Sequence, residues 1–166
     1  MRVSALYPTR GRPVELRRSI EALYDLASKP DEIEVLIGAD YDDPRLNEIF
    51  AVCEAVPRRR GTLLCSERFG YAALHEYFNR LAARALGDWL LQWNDDTDIL
   101  TSGYDDLLYD APAHSVQLLR RDEVPTADPT FPATARTVYE AMGHISLNAH
   151  CDAWISDVSW WAGNQV

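Results

Sequence analysis

Asn94, Asp95, Asp96 and Asp98 stand within five positions, directly after the apolar segment Trp89 to Trp93. Carboxylates this close repel one another, and a divalent cation would relieve that repulsion and hold them ionised. Mg²⁺ and Mn²⁺ prefer such hard oxygen ligands, and an ion that brings diphosphate oxygens needs only one or two protein carboxylates. Two more polar clusters have matching chemistry. Pro8 to Arg12 carries Arg10 and Arg12, whose guanidinium forks suit phosphate, and Asp40, Asp42 and Asp43 form a second acidic group. Each has a plainer use as well. Acids at turns cap helices or form Asx turns facing water, and surface arginines form solvated ion pairs.

The elements that must position these residues tip the balance. Val3 to Tyr7 reads as a strand, closed by Pro8 and TRGRP; Pro13 then suits a helix start. Leu16, Ile20, Leu23 and Ala27 recur at helical spacing, and IEVLIGA (Ile33 to Ala39) is a strand-length apolar run. A second helix is expected from Pro44, with Leu46, Ile49, Phe50 and Cys53 on one face. TLLC (Thr62 to Cys65) follows as a strand, Leu74, Phe78, Leu81 and Ala85 mark a third helix, and Trp89 to Trp93 is the next strand. This alternation predicts an α/β protein with a mostly parallel sheet flanked by helices. In such sheets ligands gather outside the carboxyl ends of the strands, and all three polar clusters fall there. Beyond Asp98 the pattern is less regular: a short helix near Gly103 to Tyr109, a strand at VQLL, a long proline-rich polar loop RRDEVPTADPTFPA, a helix from Ala135 to Met142, and a last helix beginning near Asp152.

Composition limits the alternatives. With 166 residues, 47% of them hydrophobic, the chain is expected to be one domain, 1–166, in two parts, the regular 1–98 and the less regular 99–166. A formal net charge of -10 argues against nonspecific binding to nucleic acid or anionic membrane. Three cysteines without CxxC spacing, no early signal-peptide pattern and no apolar run near about 20 residues lead us to expect a cytoplasmic protein without a membrane span. The chain has no P-loop, no G-x-G-x-x-G and no G-x-S-x-G. Trp89 and Trp93 read as packing residues, whereas Trp160 and Trp161 could mark an oligomer or partner contact.

In their order and spacing, these motifs resemble the family-2-type glycosyltransferases of the GT-A fold, the nucleotide-diphospho-sugar transferases, across nearly the whole chain. SALYPTRGRP resembles their first strand and P-T-x-x-R turn, placing Pro8, Thr9, Arg10 and Arg12 beside a donor. IEVLIGADYDD resembles the second strand, ending at an aspartate that meets the nucleoside, here Asp40. Asn79, eight residues before Gly87-Asp88-Trp89, fits the spacing that leads into the D-x-D strand. Asn94-Asp95-Asp96 takes the D-x-D place, with asparagine at its first position. FPATARTVYEAMG resembles the acceptor-side segment, and in HCDAW Asp152 falls where such enzymes carry a general base. The family commonly continues past the point matching Val166, so the resemblance implies a minimal or C-terminally shortened member.

What the resemblance implies is a metal-dependent, inverting transfer of a sugar from a nucleoside-diphosphate donor, a UDP-sugar first, to an acceptor hydroxyl. Asp96 is the expected Mn²⁺ or Mg²⁺ ligand, with Asp98 and His150 as further candidates, and Asn94 and Asp95 lie on the donor side. The acceptor is left open among glycans, small molecules, proteins and modified bases. Two other functions stay open: a catalytically degenerate nucleotide- or sugar-binding module acting with a partner, which Asn94 favours, and a sugar nucleotidyltransferase.

Overall fold

The computed structural model describes residues 2–57, 60–119 and 131–164. The first half alternates as read from the sequence: β1 (Val3–Pro8), α1 (Pro13–Asp25), β2 (Ile33–Asp40), α2 (Leu46–Ala55), β3 (Gly61–Ser66), α3 (Leu74–Ala82) and β4 (Trp89–Gln92). Then come α4 (Tyr104–Asp110), β5 (Val116–Leu119), β6 (Phe131–Ala135), α5 (Arg136–Met142) and α6 (Cys151–Ala162). The six strands form one sheet in the order β3-β2-β1-β4-β6-β5. β3, β2, β1 and β4 run parallel, while β6 lies antiparallel between β4 and β5.

Both faces of the sheet are covered. Tyr7, Ile37 and Leu91 meet Leu16, Leu23, Ile49 and Leu108 in a core on the α1, α2 and α4 side. Leu6, Leu36 and Leu90 meet Phe78, Leu81 and Cys151 on the α3 and α6 side. Burial on both faces explains why β2 reads as an unbroken apolar run, with every residue buried. Its one internal charge, Glu34, accepts from Ser4 Oγ at 2.6 Å and from the Leu86 amide at 2.5 Å.

Gly87 stands where a Cβ would lie 2.7 Å from the Ser4 backbone nitrogen. Its own amide donates to Ser4 Oγ at 2.8 Å. The glycine thus lets the chain enter β4 flush against β1.

Three expectations need correction. Phe50 points away from the buried stripe of α2, at 53% exposure. Phe131 to Ala135, read as loop and helix start, is β6. Its Ala133 and Ala135 pack into the core, so sheet pairing overrides the local signal of Pro132. The rest of the proline-rich loop, 120–130, lies outside the described residues. The third concerns Arg136, which lies in the expected Ala135 to Met142 helix and reads from sequence as a helix-surface residue: it donates from Nε to Gly87 O at 2.6 Å and from Nη2 to Ala85 O at 2.9 Å, tying α5 to the approach to β4. Among the described residues no helix is long and apolar enough to cross a membrane.

Candidate donor and acceptor site

The strand order reverses at β1: β2 and β3 lie to one side, β4 to the other. Such a switch point opens a crevice at the carboxyl ends of the strands. Here it opens a cavity of about 610 Å³. Eight of the residues singled out by sequence on the donor side line it: Pro8, Thr9, Arg10, Arg12, Asp40, Asn94, Asp95 and Asp96. His150 and Asp152, from the start of α6, line it too. Asn79 and Asp98 are not brought to the cavity. Asp98 accepts from Arg18 Nε at 3.0 Å. Asn79 donates from Nδ2 to Ser146 O at 2.8 Å and accepts from the Ile145 amide at 2.7 Å, which fixes the segment leading into α6.

The turn after β1 has a local cause. Gly11 sits at φ 70°, in the left-handed region that favours glycine, and Pro13 supplies the fixed φ of a first helical residue. The Gly11 amide donates to Asp43 Oδ2 at 2.8 Å, which ties the β1 turn to the β2 turn. Arg10 Nη1 bridges Asp40 Oδ2 and Asp42 Oδ1, both at 2.6 Å. The hydrogen bond from Arg10 holds the Asp42 carboxyl below the usual aspartate range. Asp40 is buried, and its other oxygen accepts from the Tyr77 hydroxyl. Tyr77 in turn receives the Phe69 amide at 3.0 Å. Asp40 therefore orders the donor-side wall from three segments at once.

The acidic cluster after β4 divides by environment. Asp95 turns inward, accepting from Thr9 Oγ1 at 2.6 Å and from Arg12 Nη1 at 3.4 Å. Burial pushes its carboxyl above the ordinary aspartate value, although the Thr9 hydrogen bond and Arg12 pull it down. Asp96 turns outward; its side chain is 53% exposed, against 10% for Asp95, and accepts from Arg12 Nη1 at 2.8 Å. The two neighbouring carboxylates raise the pKa of the Arg12 guanidinium. Asp95 is thus a fastening between β1 and β4, and Asp96 is the accessible carboxylate of the pair.

At the α6 end of the cavity lining, Asp152 lies in the first turn of the helix, not at the N-cap position, which His150 occupies without a side-chain cap. Asp152 Oδ1 accepts from the Ala153 amide at 2.9 Å. His150 is exposed, and Cys151 is buried with its thiol pushed up to about 11 by burial. At neutral pH that thiol is a poor nucleophile.

Among the described residues, no cluster of three or more His, Cys, Asp or Glu side chains could hold a metal ion unaided. One exposed carboxylate, Asp96, lining a cavity with three arginines, Arg10, Arg12 and Arg68, fits a cation that arrives with diphosphate oxygens. Sequence reading missed several lining residues, among them Arg68, Tyr71, Tyr77 and Gln92. Tyr77 and Gln92 sit inside a helix and a strand, where pattern alone reads them as filler. Arg68 stands in an irregular connection and Tyr71 opens a 3₁₀ turn, Tyr71–Ala73, and neither belongs to a motif.

No family model matches the chain, and no curated protein matches it. Solved structures do, at the level of the fold. The mannosyltransferase PcManGT from Pyrobaculum calidifontis, solved with GDP-Man and Mn²⁺, superposes with a TM-score of 0.74 at 13% identity, over 99% of this chain and 54% of that one. TarS 1-349 from S. aureus gives 0.71 at 15% identity, over 96% and 55%. A nucleotidyl transferase from Methanothermobacter gives 0.58 at 16% identity, over 95% and 84%. The chain thus has the GT-A-like fold of nucleotide-diphospho-sugar transferases. It spans about half the length of PcManGT and of TarS 1-349.

Proposed function

We propose that the protein is a metal-assisted, inverting glycosyltransferase that moves a sugar from a nucleoside-diphosphate donor to an acceptor hydroxyl. The observation that carries this reading is the cavity at the β1/β4 switch point. It is lined by Arg10, Arg12 and the accessible Asp96 from the strand ends and by Asp152 from α6. Structures of the same fold were solved with GDP-Man and Mn²⁺, with UDP and with UDP-GlcNAc, which supports a sugar-nucleotide donor.

In this reading Arg12, with Arg10 beside it, receives the diphosphate. Planar forks match phosphate oxygens, and each arginine is already oriented by carboxylates. The Thr9–Asp95 bond keeps the two strand ends together, so that the donor meets a preformed wall. Asp96 would hold Mn²⁺ or Mg²⁺; bound there, such an ion supplies Lewis-acid charge to the leaving diphosphate. Asp152 takes the proton from the acceptor hydroxyl as that oxygen attacks the anomeric carbon from the side opposite the diphosphate, inverting the centre. The Asn79 bonds to the 145–146 backbone place the segment that delivers Asp152.

A sugar nucleotidyltransferase is the second reading. It is favoured by the nucleotidyl transferase of similar fold, 84% of whose length this chain covers. One pair of assays separates the two. Under the first reading the purified chain with Mn²⁺ releases nucleoside diphosphate from a UDP- or GDP-sugar, by hydrolysis or by transfer to a supplied acceptor. Under the second it releases pyrophosphate from a nucleoside triphosphate and a sugar 1-phosphate. Pyrophosphate release without donor cleavage would overturn the glycosyltransferase reading.

A further inference from the structure

Gln92, the last residue of β4, is 3% exposed. It lines the same cavity as Asp95, Asp96 and Asp152. Both its Oε1 and its Nε2 are buried without a hydrogen-bond partner among the described residues. The three other residues of the strand, Trp89, Leu90 and Leu91, are apolar and buried. A methionine or leucine at 92 would continue that pattern without leaving an amide unpaired. An unsatisfied buried polar group destabilises the fold that contains it, so an amide unpaired on both of its polar atoms and lining a cavity points to a ligand that completes it.

The chemistry of the amide narrows the ligand. A carbonyl oxygen and an NH₂ sit side by side on one planar group, the first accepting and the second donating. Two neighbouring hydroxyls satisfy both together, one giving its hydrogen to Oε1 and the other receiving one from Nε2. Gln92 lies two residues before Asn94 and lines the cavity together with Asp96 and Asp152. Resting on the glycosyltransferase reading above, that cavity is where the transferred sugar would lie. We infer that Gln92 selects the donor sugar by holding a vicinal diol of its ring, while the diphosphate is bound elsewhere on the wall.

The test separates sugar from nucleotide. UDP, GDP, UDP-glucose, UDP-galactose, UDP-GlcNAc and GDP-mannose are titrated calorimetrically with Mn²⁺ into the wild-type chain and Gln92→Met. The melting temperature of each protein is measured without ligand. The expected result has three parts. Gln92→Met melts at or above the wild-type temperature. It binds the preferred nucleoside diphosphate within about twofold of wild type. It binds the matching sugar nucleotide about tenfold more weakly and no longer distinguishes epimers.

A lower melting temperature for Gln92→Met would show the amide to be paired within the fold and would overturn the inference. Equal losses for diphosphate and sugar nucleotide, or no loss for either, would overturn it too, while leaving the transferase reading intact. No binding of any nucleoside diphosphate by the wild-type chain would instead fell the transferase reading, and this inference with it.

Discussion

On the wall built from the ends of β1, β2 and β4, each acid has a partner from another segment. Asp40 and Asp42 share Arg10, Asp43 receives the Gly11 amide, Asp95 receives Thr9, and Asp96 and Asp98 receive Arg12 and Arg18. On the lining that α6 supplies, His150 is exposed, and Asp152 bonds, among the described residues, to the amide of its own neighbour. The difference is one of preorganisation. Groups that bind a fixed, charged moiety gain from being held in place beforehand. A base that must reach an incoming hydroxyl needs a free oxygen within hydrogen-bond reach. In the proposed function the cross-linked residues receive the diphosphate and the open ones the acceptor.

The sharpest way to break that contrast is on the open wall. Asp152→Asn keeps size and removes basicity, so transfer should fall by roughly 10²–10⁴-fold while calorimetric donor binding stays at the wild-type value. If turnover survives, Asp152 is not the base. On the other wall, Asp96→Ala should weaken Mn²⁺-dependent nucleoside-diphosphate binding by more than about tenfold and leave the fold's stability near wild type, because its ion pair with Arg12 is exposed.

Two smaller effects sharpen the picture of Asp95 as a fastening. Thr9→Val removes the hydroxyl that the buried carboxylate accepts from, and urea denaturation should show a loss of about 1–3 kcal/mol. The pH dependence gives the finer reading. Because burial raises the Asp95 carboxyl in the folded state, the fold holds that proton more tightly than the unfolded chain does. This contribution to stability therefore falls as pH rises from the ordinary aspartate value, about 3.9, through the raised one. Thr9, Arg12 and Asp96 are the groups that face it. Asp95→Asn should remove that slope, seen as the difference between wild-type and variant denaturation midpoints across the window. A wild-type slope unchanged in the variant would show that Asp95 is not buried as described.

The cross-linked wall was also the more legible in sequence. Its residues stand at strand ends, where a burst of polarity after an apolar run has few structural uses, and three such bursts implied one shared edge. Gly87 was legible as part of a spacing, but its cause, contact with the Ser4 backbone, needs the neighbouring strand. Asn79 belonged to the same spacing, yet its partners are backbone atoms 66 and 67 residues away, so its position outside the cavity was not readable locally. β6 was hidden because a proline at its second position marks a loop until the strands on either side are known. Which of the adjacent acids turns inward was likewise undetermined, since Asp95 and Asp96 differ only in what β1 places beside them. Gln92 was silent for the opposite reason: one polar residue ending an apolar strand looks like its boundary.

A crystal of the protein soaked with Mn²⁺ and, in turn, UDP and GDP tests the central claim most directly. The account predicts a nucleoside diphosphate in the cavity at the β1/β4 switch point, its phosphates beside Arg12 and a manganese ion on Asp96. An empty cavity with both nucleotides, or a nucleotide bound away from Arg12 and Asp96, would contradict it.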